Sequence, residues 1–289
     1  MKLDKARTLK IIRAALKEDI GAGDVTTVGA LGALESVKAA VLVNEDCVLC
    51  GMDVAEWAIN AVDCSVRFKP QAEDGQRVFK GKEIVFLEGH ARAILSAERT
   101  ILNFLCFLSG IATKTGKFVE KAGKYGAEIY DTRKTFPLLR YLEKYAVRAG
   151  GGRNHRLGLW DQALVKENHM KAARMGAEKN FIADLRKKIT KNLKVEVEVE
   201  NIKQFKSILK QRPDIIMLDN MSVEDARQAC LLRDEMKSAE KPFLEVSGGI
   251  SLDNVEEYAK TGVDRISVGS LTDSVESVDM SVEIKGGEL

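Results

Sequence analysis

The sequence predicts an α/β protein in two parts. An N-terminal α+β domain of largely antiparallel strands precedes an α/β barrel with about six parallel strands. Three observations carry this. From residue 126 onward, short apolar runs alternate with amphipathic segments, the pattern of parallel strands joined by covering helices. None of the strand-to-helix turns has the Gly-x-Gly-x-x-Gly spacing of a dinucleotide-binding sheet, which favours a barrel. Between about 35 and 90 the pattern is one of short strands divided by glycine-rich and charged turns.

The chain of 289 residues is long enough for two such parts. Its 45% hydrophobic and 30% charged residues are ordinary for a globular protein, and four prolines argue against disordered linkers. A net charge of +2 argues against a general polyanion binder, so anion binding has to be met locally. The five cysteines, an odd number, accompany an N-terminus without the apolar core and cleavage site of a secretory signal. No apolar run is read as approaching the roughly 18 residues of a membrane span. The expectation is a cytoplasmic protein with no membrane partner.

Residues 4–19 read as an amphipathic helix, with Ile11, Ile12, Ala15 and Leu16 on one side, and Gly21, Gly23 and Asp24 stop it. VKAAVLV, VLCG, CSVRFK and EIVFLEG are strand-like, and Asp53–Ala61 fits a helix between them. Residues 91–123 are apolar at helical spacing, with Ser109-Gly110 expected to kink or divide the segment. Arg99 lies in this stretch, where pairing with Glu98 or a neighbour is the plain reading. Strands follow at AEIYD, ALVKEN, VEVEVE, DIIMLDN, FLEVSGG and DRISVGS, with helices between them, one of them at about 171–190.

In a barrel the active site sits at the C-terminal strand ends. Here those ends carry Asp131-Thr132-Arg133-Lys134, Lys166-Glu167-Asn168-His169, Glu198-Val199-Glu200-Asn201, Asp219-Asn220, Ser247-Gly248-Gly249 and Gly269-Ser270. Six polar or glycine ends on one edge are hard to read as chance. Alternation in VEVEVE puts Glu196, Glu198 and Glu200 on one face, which needs ionic partners, a metal or a developing positive charge. Glycines at the last two strand ends suit a phosphate. Arg133 and Arg156 suit bidentate grip of a carboxylate, Lys134 and Lys166 act as point charges, and His155 offers a hydrogen bond or a proton. The stretch from Asp131 to Met170 therefore reads as a concave site for a small, strongly anionic ligand. Cys47-x-x-Cys50 lacks a second ligand pair, His90 and His169 lack metal-ligand spacing, and the Lys/Arg clusters at 183–194 and 203–212 suit solvated faces better than nucleic acid.

DTRKT (131–135), LEKYAVRAGGGRNHRLGL (142–159), ALVKENH (163–169), VEVEVEN (195–201), IIMLDN (215–220), VSGGI (246–250) and ISVGSLT (266–272), with EDIGAGDVTT (18–27), together resemble the quinolinate phosphoribosyltransferase family over about residues 8–285. The resemblance implies transfer of phosphoribose from 5-phosphoribosyl-1-pyrophosphate to quinolinate with decarboxylation, in NAD synthesis, with Mg²⁺. It implies an N-terminal open α+β sandwich and a C-terminal barrel, in a homodimer or higher homo-oligomer, a hexamer included. The expected division is 1–110 with the connecting helix, 111–274 as barrel, and 275–289 packing back on the N-terminal domain. The resemblance puts Arg99, supplied across the subunit interface, with Arg133, His155, Arg156 and Lys166 on quinolinate. Lys134 falls near the pyrophosphate, Glu198 and Asp219 face ribose and metal, and Ser247, Gly248, Gly249, Gly269 and Ser270 hold the 5′-phosphate. Phe136 and Leu138 stand where the family usually has Thr and Gly, and Asp273-Ser274 where it has a basic or histidine pair. The competing readings are a paralogous phosphoribosyltransferase with another acceptor, of the molybdenum-transport-associated type, and a non-catalytic sensor of the same ligands.

Overall fold

The computed structural model describes residues 2–173, 180–190, 192–238 and 240–285. In chain order these form α1 (Lys5–Ile20), α2 (Val25–Ala30), β1 (Ser36–Val43), β2 (Cys47–Val48), α3 (Met52–Val62), β3 (Arg67–Pro70), β4 (Arg77–Val78), β5 (Glu83–His90) and α4 (Ala91–Gly123). There follow β6 (Glu128–Tyr130), α5 (Arg140–Ala149), β7 (Ala163–Val165), α6 (Glu167–Ala172), α7 (Ile182–Lys188), β8 (Val195–Val199), α8 (Ile202–Leu209), β9 (Ile215–Asp219) and α9 (Val223–Asp234). Last come β10 (Phe243–Ser247), α10 (Val255–Ala259), β11 (Arg265–Ser267), α11 (Ser270–Asp273) and β12 (Met280–Lys285).

The chain divides into two compact units that interleave in sequence. One holds residues 1–116, 136–151 and 274–289, the other 117–135 and 152–273. The first unit thus takes in α5 as well as the C-terminal strand, whereas the sequence reading put all of 111–274 in the barrel and 275–289 with the N-terminal domain.

The first unit is built on an antiparallel sheet in the order β12-β1-β5-β3, with a β2-β4 ribbon beside it. β1 buries Ala39, Ala40, Val41 and Val43 completely. Its apolar residues serve a central strand, paired on one side with β5 and on the other with β12, Val41 opposite Val282. α1 is capped by Asp4, whose carboxylate accepts the Arg7 N–H at 2.8 Å, and buries Thr8, Ile12 and Leu16. α2 was not expected. Asp24, read as part of a stop, instead caps a new short helix by accepting the Thr27 N–H at 2.9 Å.

α4 is one helix of 33 residues and is not divided at Ser109-Gly110. The Ser109 hydroxyl accepts the Cys50 N–H at 3.0 Å and donates to the Cys50 carbonyl at 3.2 Å, so it does not compete for the helix ladder. Gly110 is needed for close approach. A Cβ there would lie 2.1 Å from the Glu276 carbonyl oxygen, where the C-terminal segment crosses the helix. By length and composition α4 is also able to cross a membrane, contrary to the sequence reading, but most of its apolar stretch is buried within the protein.

The loop before α5 carries strain. Leu138 sits at φ 67°, in the left-handed region, and is 90% exposed. A left-handed leucine costs roughly 1–2 kcal/mol, and glycine returns part of that as unfolded-state entropy. Leu138→Gly is therefore expected to raise stability by about 0.5–1 kcal/mol in denaturant titration.

The second unit is a six-stranded, all-parallel sheet in the order β6-β11-β10-β9-β8-β7. Edge strand β6 is extended by a parallel bridge between Tyr130 and Arg153. β8 is buried on both faces, with Val195, Val197 and Val199 fully inaccessible on the side opposite its glutamates. β8 and β10 are separated by β9, so their backbones stand about 9–10 Å apart in a flat sheet. The ligating atoms of Glu196, Glu245 and His155 nonetheless lie within 4.8 Å of one another, the two glutamates reaching across β9 on one face of the sheet. The helix expected at about 171–190 is represented by α6 and α7, with 174–179 outside the described residues.

Candidate active site

The ends of the parallel strands line one cavity of about 570 Å³. Arg133, Lys134, His155, Arg156, Lys166, Asp219, Ser247, Gly248 and Gly249 line it, with Thr132, Asn220 and Ser267 among their neighbours. Nine sequence-predicted residues therefore meet in one place, all within the second unit.

The cationic half rises from β6, β7 and the loop between them. The Asp131 carboxylate is fully buried and accepts both the His155 N–H at 2.9 Å and the Asn154 amide at 2.6 Å. It ties the loop carrying His155 and Arg156 to the end of β6. Arg156 has its pKa lowered, first by burial and second by the nearby Arg133 guanidinium. Two guanidiniums that repel each other across the same cavity favour an anion between them. Lys166 closes β7 and forms an ion pair with Glu198 on β8. Its backbone N–H donates to His169 Nδ1 at 3.0 Å, so His169 caps the start of α6.

The other half comes from β9, β10 and β11. The Asp219 carboxylate accepts from the Asn220 amide at 2.9 Å. Asn220 holds a left-handed φ of 53°, which asparagine tolerates, and its N–H donates to the Ser247 carbonyl at 2.8 Å. Gly248, at φ 92°, lies so close that a Cβ would stand 2.2 Å from Asn220 Oδ1. Gly269 is not among the cavity-lining residues, but a Cβ on it would meet Lys134 Cδ at 3.2 Å and Asp273 Oδ2 at 3.1 Å. The Thr272 hydroxyl donates to the Lys134 carbonyl at 2.6 Å and pins the loop after β6 to the end of β11. Ser270 begins α11. The helices after the two glycine turns, α10 and α11, have only five and four residues. A phosphate here would rest on loop N–H groups and Lys134 more than on a long helix dipole.

Ionic pairing accounts for the inward glutamates of β8: Glu198 with Lys166, and Glu196 with His155 and Gln162. Glu200 lies past the strand and is exposed. Burial alone favours neutral His155, but its hydrogen bonds to Glu196 and Glu245 outweigh that and raise its pKa to about 10. Burial, then Glu245, raises the Glu196 pKa as well. His155 and Glu196 hold their protons jointly. Glu245 was not singled out from sequence; its inward parity on FLEVS, level with Arg265 on β11, was the available signal. Gln162 carried no such signal.

Arg99 is exposed on α4 in the first unit. Cys47 and Cys50 are both buried free thiols, and burial pushes both thiol pKa values up, as expected of structural cysteines.

Comparison with known proteins agrees with this architecture. Residues 24–109 match the model of the quinolinate phosphoribosyl transferase N-terminal domain, and residues 111–283 that of its C-terminal domain. A probable carboxylating nicotinate-nucleotide pyrophosphorylase of Methanocaldococcus jannaschii is 43% identical over 97% of this chain and 98% of that protein. The carboxylating nicotinate-nucleotide pyrophosphorylase of Mycobacterium leprae is 42% identical over 94% of this chain and 95% of its own. A solved nicotinate-nucleotide pyrophosphorylase from Francisella tularensis superposes with a TM-score of 0.92 at 40% identity, covering 98% of both chains. On these matches, which span both units, the chain belongs to the quinolinate phosphoribosyltransferase family.

Proposed function

We infer that the chain transfers the 5-phosphoribosyl group of phosphoribosyl pyrophosphate to quinolinate and releases CO₂, giving nicotinate mononucleotide and pyrophosphate for NAD synthesis. The observation that carries this reading is one cavity with a guanidinium-rich side and a carboxylate-and-glycine side. A dicarboxylated pyridine fits the first, a phosphorylated sugar the second.

Arg133, Arg156 and Lys166 hold the two quinolinate carboxylates, with His155 beside them. The ring nitrogen attacks the ribose anomeric carbon as its bond to pyrophosphate breaks. Glu198 and Asp219 stabilise the positive charge that develops on the sugar, and Lys134 takes up charge on the departing pyrophosphate. The ribosylated ring nitrogen is then a pyridinium. The bond to the adjacent carboxylate breaks, its electron pair stays on the ring carbon beside that nitrogen, CO₂ leaves and a proton takes its place. Ser247, Gly248, Gly249, Gly269 and Ser270 surround the 5′-phosphate.

Glu198 and Asp219 offer hard oxygen donors and no thiolate, which suits Mg²⁺, an ion that commonly takes one or two carboxylates and completes its shell with phosphate and water. Asp219, hydrogen-bonded to an amide, is less committed than Glu198, paired with a lysine. Bound there, Mg²⁺ would neutralise charge on the pyrophosphate.

The reading is tested by supplying phosphoribosyl pyrophosphate and Mg²⁺ with quinolinate or with nicotinate. Nicotinate mononucleotide from quinolinate supports it. Product from nicotinate alone points to a paralogue, and binding without turnover to a sensor.

Two further expectations follow. Gly248→Ala adds a methyl against Asn220 and forces alanine to a positive φ, so the KM for phosphoribosyl pyrophosphate should rise about tenfold or more while that for quinolinate holds. Arg99 is proposed to reach the quinolinate of a neighbouring subunit in a homodimer or a hexamer. Arg99→Ala and Lys134→Ala proteins, each poorly active, should then recover activity when mixed and allowed to exchange subunits.

A further inference from the structure

His155 was expected to touch the acceptor, yet both of its ring nitrogens are directed into the protein. Nδ1 accepts the Arg156 backbone N–H at 2.8 Å. Nε2 points between Glu196 Oε2 at 3.1 Å and Glu245 Oε1 at 3.4 Å. The contacts then close on themselves. Arg156 Nη1 donates to the Gln162 carbonyl at 3.1 Å, and Gln162 Nε2 donates to Glu196 Oε2 at 2.5 Å, the oxygen that faces His155. The Ser267 hydroxyl donates to Glu245 Oε1 at 2.5 Å and fixes the second carboxylate. Both glutamates are fully buried, and His155 and Arg156 are 9% and 7% exposed.

We propose that Gln162, Glu196 and Glu245 are positioning residues that lock the His155–Arg156 pair, and that His155 is a strut which aims Arg156 and does not itself bind the acceptor. A guanidinium on a long side chain has many rotamers, and holding one of them in advance saves ordering entropy when the carboxylate arrives. The ring serves because its two nitrogens, set apart by a rigid frame, reach the Arg156 backbone and the two barrel-wall carboxylates together. With Nδ1 as an acceptor, the ring carries its proton on Nε2. A further proton is shared between His155 and Glu196, whose pKa values are both raised in this buried cluster. The proposal rests on the acceptor half of the cavity being formed by Arg133, Arg156 and Lys166.

The test uses the full-length protein labelled with ¹⁵N-histidine. Its three histidines are assigned with His155→Gln. The His155 resonances should show an Nε2-protonated, Nδ1-accepting ring and should barely move when quinolinate saturates the protein. Large shifts at Nε2 or Nδ1 on quinolinate binding would overturn the proposal, because the ring would then be a ligand. Stoichiometric divalent metal in the purified protein, lost in His155→Gln, would overturn it too. In steady-state kinetics, Glu245→Leu and Gln162→Leu should raise the quinolinate KM roughly ten- to a hundredfold and leave the phosphoribosyl pyrophosphate KM within about threefold. Glu245→Gln, which keeps an oxygen for Ser267 and His155, should recover most of the loss. Equal rises in both KM values, or no rise, would contradict the assignment. Should the leucine variants not fold, the wild-type spectra decide. An inactive wild-type protein would sink the functional reading instead, so the two failures are distinct.

Discussion

Arg156→Ala is expected to lower kcat/KM for quinolinate by roughly a hundred- to ten-thousandfold. Charge-assisted hydrogen bonds to a carboxylate are worth about 1.5–3 kcal/mol each, a guanidinium makes two, and each 1.4 kcal/mol is a factor of ten. The effect should fall on the quinolinate KM, measured with phosphoribosyl pyrophosphate saturating, because Arg156 belongs to the cationic side of the cavity. The substitution also removes the donor to the Gln162 carbonyl and the neighbour that lowers the Arg156 pKa, Arg133, is then less crowded. Arg156→Lys should recover little. A lysine ammonium cannot reproduce the two-pronged grip, and it loses the aim imposed through Gln162. A fall in kcat alone, with KM unchanged, would place Arg156 elsewhere in the reaction.

The opposite signature is expected of Asp219→Asn. The carboxylate faces a charge present in the transition state and small in the ground state, so its loss should lower kcat about a hundred- to a thousandfold and change quinolinate binding little. The isosteric amide isolates charge from shape. Quinolinate affinity measured by calorimetry in the absence of the sugar donor checks the second half of this expectation. A large loss of quinolinate affinity would mean that Asp219 organises the cationic half as well.

Most of the cavity was legible in the sequence, because a parallel barrel converts strand order into spatial proximity. Lys166, Asp219 and Ser247 are far apart in the chain, yet each closes a strand, and strand ends share one edge. Arg133 and Arg156 were legible as cations among glycines, and His155 as a polar neighbour of Arg156. What the sequence withheld is which residues hold these in place. Glu196 stood in plain view within VEVEVE, but its partners are a histidine from a loop and a glutamine seven residues further on, and no periodicity links them. Glu245 resembled one more strand residue. Ser109-Gly110 misled for a related reason. Local rules read the pair as a break, whereas Cys50 satisfies the serine and the passing C-terminal segment requires the glycine. The second short helix was hidden because one aspartate served both to end a segment and to cap the next. The placing of α5 was equally invisible: it follows a barrel strand in sequence and belongs with the first unit in space.

The central claim is that this one cavity couples ribosyl transfer to loss of the neighbouring carboxylate. Quinolinate carrying ¹³C in its 2-carboxylate tests it most directly, with the carbon followed by NMR while pyrophosphate is counted. The account predicts that the label leaves entirely as CO₂, one for each pyrophosphate, and that the nucleotide product is unlabelled. Label retained in a nucleotide, or pyrophosphate released without CO₂, would contradict it.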